Sequence, residues 1–231
     1  MQAVIFCGGL GTRLFPITRF LPKSLIPVCG EPFIKHQIAI LKKNNINKFV
    51  FLVGNKSSQL IKYIKKNFSD ENYKIFKDKR FNQGTGKSLL DCIDHLQNEF
   101  FIMYGDSYLD CNLKKIKNYF KNKKYNSMMI ICKNSNKRYT NNIKIYRKES
   151  KIIHYGSKKN LNYIDYGITF FKKDILINLK KNKIDEKMVS IFNLLSKANN
   201  LNYYLEKKHF EEIGSFEGLY NLKKSYEKKY F

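Results

Sequence analysis

The chain has 231 residues, 43% of them hydrophobic and 27% charged, which suits one packed domain and excludes a disordered chain. No apolar run approaches the ~18 residues that span a bilayer, and Val4 to Phe6 is too short for a signal-peptide core, so no membrane insertion is expected and the cytoplasm is the expected location. Lys and Arg outnumber Asp and Glu by 44 to 19, a net charge of +25. Charge of that size raises nucleic acid or another polyanion as a partner, but the lysines are spread in pairs such as Lys42-Lys43, Lys65-Lys66 and Lys207-Lys208. They read as solvated faces, and nucleic acid is not the expected partner.

In chain order, Gln2 to Phe6 reads as a strand, and Phe33, Ile34, Gln37, Ile38 and Leu41 share one helical face. Lys48 to Val53 is a second strand, closed by Gly54-Asn55. Leu60, Ile61, Ile64 and Phe68 mark a second helix, and Tyr73 to Phe76 a weaker strand. Ser88 to Leu96 reads as a helix, and Phe100 to Tyr104 as a buried strand. This alternation predicts an α/β fold, a Rossmann-like mixed sheet in three layers with helices on both faces. Beyond Met128 the pattern changes to strands at Ser127 to Cys132, Ile143 to Tyr146, Lys151 to His154 and Ile164 to Phe171. Met188 to Leu195 and Phe216 to Tyr226 read as closing helices. The five cysteines (Cys7, Cys29, Cys92, Cys111 and Cys132) are odd in number with no Cys-x-x-Cys spacing, so reduced thiols without zinc are expected.

The first strand opens into Gly8-Gly9-Leu10-Gly11-Thr12-Arg13-Leu14, followed by Pro22-Lys23-Ser24-Leu25-Ile26-Pro27. Glycines at a strand end let a polyphosphate approach the backbone, with main-chain N–H groups and Arg13 meeting its charge. The loop is not a dinucleotide fingerprint, because Leu14 stands where the third glycine belongs. Gly86-Lys87-Ser88 is not an ATPase P-loop, because Phe81 stands where its first glycine belongs. Gly105-Asp106 sets a carboxylate at the tip of another buried strand. Alone it is also an ordinary turn. In parallel sheets ligands gather at such carboxyl ends, so both loops point to one site.

The pair Gly-Gly-x-Gly-Thr-Arg-Leu and Pro-Lys-x-x-x-Pro, in that order and spacing, resembles the signature of the sugar-1-phosphate nucleotidyltransferases. The resemblance runs from Met1 to about Tyr226 and leaves no room for the C-terminal β-helix of some relatives. Small heptose and mannose 1-phosphate guanylyltransferases are nearest in layout. It implies one nucleotidyltransferase domain over 1–231, with a nucleotide-binding part at about 1–110 and a sugar-phosphate-binding part at about 111–231. The implied reaction joins a nucleoside triphosphate (GTP, CTP or UTP) to a sugar 1-phosphate with release of pyrophosphate, assisted by Mg²⁺, for polysaccharide synthesis; a homodimer is compatible with the chain, whose oligomeric state the sequence leaves open.

By the same resemblance Gly8, Gly9, Leu10, Gly11, Thr12 and Arg13 hold the nucleotide, with Arg13 on the β and γ phosphates and Lys23 at the α phosphate. Asp106 is a metal ligand. Glu212 is the second, in Glu212-Ile213-Gly214-Ser215-Phe216-Glu217, where the family has Asp-x-Gly-Thr/Ser-Pro-Glu; the same stretch also reads as a helix capped by Ser215. Gln83, Gly84 and Thr85 resemble the loop that lies against base and ribose. The family's base-reading Glu or Gln, five residues before that glycine, is Lys79 here, which leaves the nucleobase open. Asp165 and Gly167 resemble the sugar-hydroxyl contacts, Asn141 lines the same pocket, and Lys158 is the nearest match to the sugar-phosphate lysine. Two other readings remain: a cytidylyl- or other nucleotidyltransferase acting on a non-sugar phosphate, and a polyanion-binding protein built on the same fold.

Overall fold

The computed structural model describes residues 1–69, 72–134, 142–156, 161–181, 187–208 and 211–230. In chain order the elements are β1 (Gln2–Phe6), β2 (Pro27–Val28), β3 (Glu31–Pro32), α1 (Phe33–Lys43), β4 (Lys48–Val53), α2 (Ser57–Asn67), β5 (Asn72–Lys77), α3 (Thr85–Asp91), β6 (Glu99–Tyr104), β7 (Ser107–Tyr108), α4 (Leu113–Asn122), β8 (Ser127–Lys133), β9 (Asn142–Tyr146), β10 (Lys151–Gly156), β11 (Tyr163–Lys172), α5 (Lys173–Lys181), α6 (Met188–Lys197), β12 (Asn202–Leu205), β13 (Glu211–Glu212) and α7 (Phe216–Tyr230). The α/β class and the Rossmann-like mixed sheet expected from the sequence are what the chain adopts. No helix among the described residues is long and apolar enough to cross a membrane.

The chain divides into two compact units, one of residues 3–82, 103–110 and 210–231, the other of residues 1–2, 83–102 and 111–209. Residues 83–102 thus group with the later part of the chain, and residues 210–231 return to the earlier part.

In the first unit β5, β4 and β1 pair in parallel, with Ala3 opposite Phe49 and Lys48 opposite Asn72. Parallel strands covered by helices are buried on both faces, which is why β1 and most of β4 are continuous apolar runs. Helix α1 buries Phe33, Ile34, Gln37, Ile38 and Leu41 along one stripe. It ends at Asn44, and Asn45 takes the left-handed conformation (φ 59°) that stops a helix. Helix α2 buries Ser57, Leu60 and Ile64, and its remaining positions carry the lysines.

In the second unit β8 runs antiparallel to β11 and parallel to β12, and β10 joins β12 to β9 with antiparallel pairing on both sides. Helix α3 starts at Thr85, after Gly84 turns the backbone at φ 89°, and ends at Asp91; a separate 3-10 turn spans Ile93–His95. The single helix expected over Ser88 to Leu96 is therefore two pieces, and the apolar positions of both are buried.

Candidate active site

Loop geometry after β1 follows from Gly11. It sits at φ 66°, and its carbonyl accepts from Leu14 N (2.9 Å) and from Thr18 Oγ1 (2.9 Å). A β-carbon on Gly11 would stand 2.7 Å from Thr18 Cγ2, so only glycine fits. Nothing lies within 4 Å of the β-carbon position of Gly9, which leaves that backbone open to an incoming group. Thr12 and Arg13 are exposed, while Leu14 is fully buried. Lys23 opens a 3-10 turn, Lys23–Leu25.

Three apolar residues beside the candidate groups share one buried cluster. Leu14 follows Arg13, Tyr108 lies two residues after Asp106, and Ile213 follows Glu212; all three pack with Ile26, Val28, Phe33, Leu219 and Leu222. Each such side chain contributes about 1.5–3 kcal/mol on burial, so the cluster fixes the polar neighbours indirectly. The Gly105-Asp106 turn is held on two sides. Gly105 N donates to Phe6 O at 2.9 Å, and the buried Gln37 amide donates to Tyr104 O (3.1 Å) and Ser107 O (2.9 Å).

The short β13 strand then brings the C-terminal acid alongside. Glu212 pairs with Ser107, and Ile213 N donates to Asp106 O at 2.9 Å. Lys23 Nζ makes an ion pair with Asp106 Oδ2, with the two side chains 16% and 24% exposed. Gly214 sits where the other groups meet: a β-carbon there would stand 2.1 Å from Glu212 Oε2, 2.8 Å from Lys23 Nζ and 2.9 Å from Arg13 Nη2. Glu212 is buried, and its Oε1 accepts from Ser215 Oγ at 2.8 Å. Ser215 Oγ also accepts from Gly218 N at 3.0 Å, capping α7. The capping reading of this segment and the placement of Glu212 beside the cations therefore hold together. Two cations and two carboxylates neutralise one another across a few ångströms. Such a set can exchange its internal partners for phosphate oxygens and a hard cation. Among the described residues no third His, Cys, Asp or Glu joins the carboxylates. A pair of carboxylates is still the donor set of an ion that keeps water and substrate oxygens as its other ligands.

Cys7, next to the loop, is chemically quiet: burial pushes its thiol up to about 12.

The remaining expected residues belong to the second unit or lie outside the described residues. Gln83 is buried and its amide donates to Ser88 Oγ at 3.3 Å; Ser88 Oγ in turn donates to Gly84 O at 3.0 Å. Lys87 pairs with Asp91 one turn along its own helix, so in this state its ammonium is engaged there. Strand β11 is irregular against β8 between Asp165 and Thr169, with Gly167 at φ 85°. That bulge folds Asp165 Oδ1 onto Gly167 N (2.7 Å), and Oδ2 accepts from Tyr155 Oη (3.2 Å). Burial raises the Asp165 carboxyl to about 7, against the opposing pull of those two hydrogen bonds. Asn141 and Lys158 lie outside the described residues.

Three residues that shape this region escaped the sequence reading: Thr18, Gln37 and Asp78. The last follows β5, and its Oδ2 lies 3.0 Å from the β-carbon position of Gly8 and 2.5 Å from that of Gly54. Lys79, at the position expected to read the base, is exposed.

Comparison with known proteins agrees with this layout. Over 117 residues the chain is 34% identical to the D-glycero-alpha-D-manno-heptose 1-phosphate guanylyltransferase of Campylobacter jejuni, covering 51% of this chain and 52% of that one. Over 119 residues it is 35% identical to the bifunctional protein GlmU of Methanococcus maripaludis, covering 52% of this chain and 28% of that one. The chain thus spans about half, or less, of the length of these curated relatives. HddC from Yersinia pseudotuberculosis, solved with GMP-PN, superposes with a TM-score of 0.82 at 19% identity, over 97% of this chain and 99% of that one, which shows a shared fold. The family described as Nucleotidyl transferase matches residues 2–229, from the first strand that carries the glycine loop to the last helix behind Glu212, and the chain belongs to that family.

Proposed function

We propose that the protein is a sugar-1-phosphate nucleotidyltransferase. The observation that carries this reading is the meeting of Arg13, Lys23 and Glu212 around Gly214, with Asp106 on the same lysine. The name of the Campylobacter relative supports a sugar 1-phosphate as acceptor. A phosphate oxygen of the sugar 1-phosphate attacks the α-phosphorus of the triphosphate. The new O–P bond forms as the bond to the bridging α–β oxygen breaks, and pyrophosphate leaves with that electron pair. The nucleophile is already an anion, so no side-chain base is required. The protein aligns two mutually repelling anions and stabilises the charge in transit.

Arg13 presents a forked donor set to the β and γ phosphates and to the departing pyrophosphate. Lys23 is the compact charge for the α phosphate, and it leaves Asp106 to reach it. Gly8 to Thr12 supply main-chain donors. On this reading Asp106 and Glu212 hold Mg²⁺, which when bound neutralises phosphate charge and polarises the α phosphate. Gly84 and Thr85 serve the nucleoside, and Asp165 and Gly167 serve the sugar hydroxyls. The protein works in the cytoplasm, where nucleoside triphosphates are made.

The test is pyrophosphate release with Mg²⁺, offering GTP, CTP, UTP, ATP and dTTP in turn against a panel of sugar 1-phosphates. Release that requires one triphosphate and one sugar is the expected result. Well-folded protein that binds a triphosphate yet turns over none of the sugars would refute the acceptor class.

A further inference from the structure

We infer that the turns between Arg13 and Lys23, together with the outer face of α2, dock the protein on an anionic phospholipid bilayer; this does not depend on the nucleotidyl-transfer reading above. Charge is one-sided here. Between Met1 and Ser69 the chain has eleven Lys and Arg and a single acid, Glu31. That acid is paired with Lys35 at 2.8 Å. Phe15, Phe20 and Leu21 stand in the same stretch, 60%, 67% and 36% exposed. Folded chains leave large apolar side chains outside singly; three within seven residues, set among cations, mark a surface that meets something apolar and negative.

The backbone builds this exposure in. Pro16 O accepts from Arg19 N (2.9 Å), and Ile17 O from Phe20 N (3.1 Å) and Leu21 N (3.2 Å), which closes the 3-10 turn Ile17–Arg19. The buried Thr18 ties that turn to Gly11. Lys56 Nζ donates to Arg19 O at 2.6 Å and so fixes the turn to the start of α2. Phe20 and Leu21 are left facing outward, with the Arg19 guanidinium 5.9 Å from the centre of the Phe20 ring. Leu21 and Leu25 line an open groove of about 450 Å³ with Tyr63, Lys62 and Lys66 of α2. Lys62 and Lys66 are one helical turn apart, so both ammonium groups lie along one side of that groove.

An apolar groove with a cationic rim complements a phospholipid, whose acyl chain meets the apolar residues while its phosphate meets the cations. The two phenyl rings and Leu21 leave water for the acyl boundary, and Arg19, Lys62 and Lys66 stay at headgroup level, drawn there by the negative surface potential. A second copy of this chain is the wrong occupant, because each copy carries a net charge of +25. An acidic protein would satisfy the lysines, but a protein interface needs a surface shaped to these three side chains. Fluid lipid moulds itself to them.

The test is co-sedimentation of the full chain with phosphatidylglycerol or phosphatidylcholine vesicles at about 0.15 M salt. Phosphatidylglycerol should bind it and phosphatidylcholine should not. A basic chain also meets anionic vesicles by charge alone, so the variants decide. Phe20→Ser with Leu21→Ser keeps the charge and should weaken binding about tenfold or more. Lys62→Gln with Lys66→Gln should weaken it roughly 25-fold, at about fivefold per cation. Lys114→Gln with Lys115→Gln, on α4 of the other unit, removes the same charge and should cost less than about threefold. The chain has no tryptophan, so Phe20→Trp reports on position 20 alone. Its emission should move to the blue on phosphatidylglycerol and be quenched by brominated acyl chains. Vesicle binding without that quenching would overturn the inference, as would phosphatidylglycerol binding no tighter than phosphatidylcholine, or binding unmoved by Phe20→Ser with Leu21→Ser in protein shown to be folded by circular dichroism. A blue shift given by polyglutamate and by no vesicle would assign the patch to an acidic protein and overturn it too. None of these results bears on nucleotidyl transfer.

Discussion

Gly214→Ala tests whether the meeting of Arg13, Lys23 and Glu212 is the reaction centre. The added methyl would stand 2.1 Å from Glu212 Oε2, and ordinary contact begins near 3.4 Å, so the carboxylate must retreat by about 1.3 Å. It has little room, because Glu212 is 5% exposed and its other oxygen is held by Ser215. Lys23 Nζ and Arg13 Nη2, at 2.8 and 2.9 Å, must give as well. Displacing reactive groups by about 1 Å costs on the order of 100-fold in rate. Overpacking costs roughly 1–3 kcal/mol of stability, less than a whole domain's margin. The variant should therefore fold, melt a few degrees lower, and lose about 100-fold in kcat. Steady-state pyrophosphate release and a thermal melt measure the two effects. A folded Gly214→Ala protein with kcat within threefold of wild type would refute the assignment of this point as the centre.

Gln37→Leu keeps the size of the side chain but removes the donors to Tyr104 O and Ser107 O. Leaving those carbonyls unpaired should cost about 2–4 kcal/mol in urea unfolding, with activity falling as the Asp106 turn loosens. Ser215→Ala removes both the cap on α7 and the hydrogen bond to Glu212; about 1 kcal/mol of stability should go, and the Mg²⁺ concentration for half-maximal rate should rise. Asp165 holds its proton to about pH 7 when folded, against an ordinary value of 3.8, so the folded state binds more protons between those values and stability falls as pH rises through that window. Asp165→Asn should flatten the stability profile between pH 4 and 7 and exceed wild type at pH 8; an unchanged slope would show that the carboxyl is not protonated.

Legibility in the sequence followed the range of the interactions. Buried parallel strands announce themselves as apolar runs, and the residues at their ends, Gly8 to Arg13 and Gly105-Asp106, could be read because the chain itself sets that position. Helix α4 was harder: Leu113, Ile116 and Phe120 are its buried residues among lysines, too thin a stripe to stand out. Strand β12 is four residues long with two half-buried tyrosines, and it is a strand only because β8 and β10 flank it. Gln37 was visible as one member of a helical face, but nothing local says that its amide reaches Tyr104 and Ser107, about 70 residues on. Asp78 was hidden too, because only the pairing of β5 with β4 sets it against Gly8 and Gly54. Gly214 stood in the matched motif, but the reason only glycine fits there appears when the side chains of Arg13, Lys23 and Glu212 are seen around it.

The return of residues 211–230 to the unit built around β1 sets a timetable for biosynthesis. Glu212 is added about 200 residues after Arg13, and the β13–β7 ladder and the Leu219 and Leu222 contacts follow only once that stretch has left the ribosome. Until then a nascent chain carries Arg13, Lys23 and Asp106 without their fourth partner. On the reading proposed for this site, the growing polypeptide is kept from turning over triphosphates. On the same reading, a chain that stops short of residue 212 is inert even where the glycine loop is already in place.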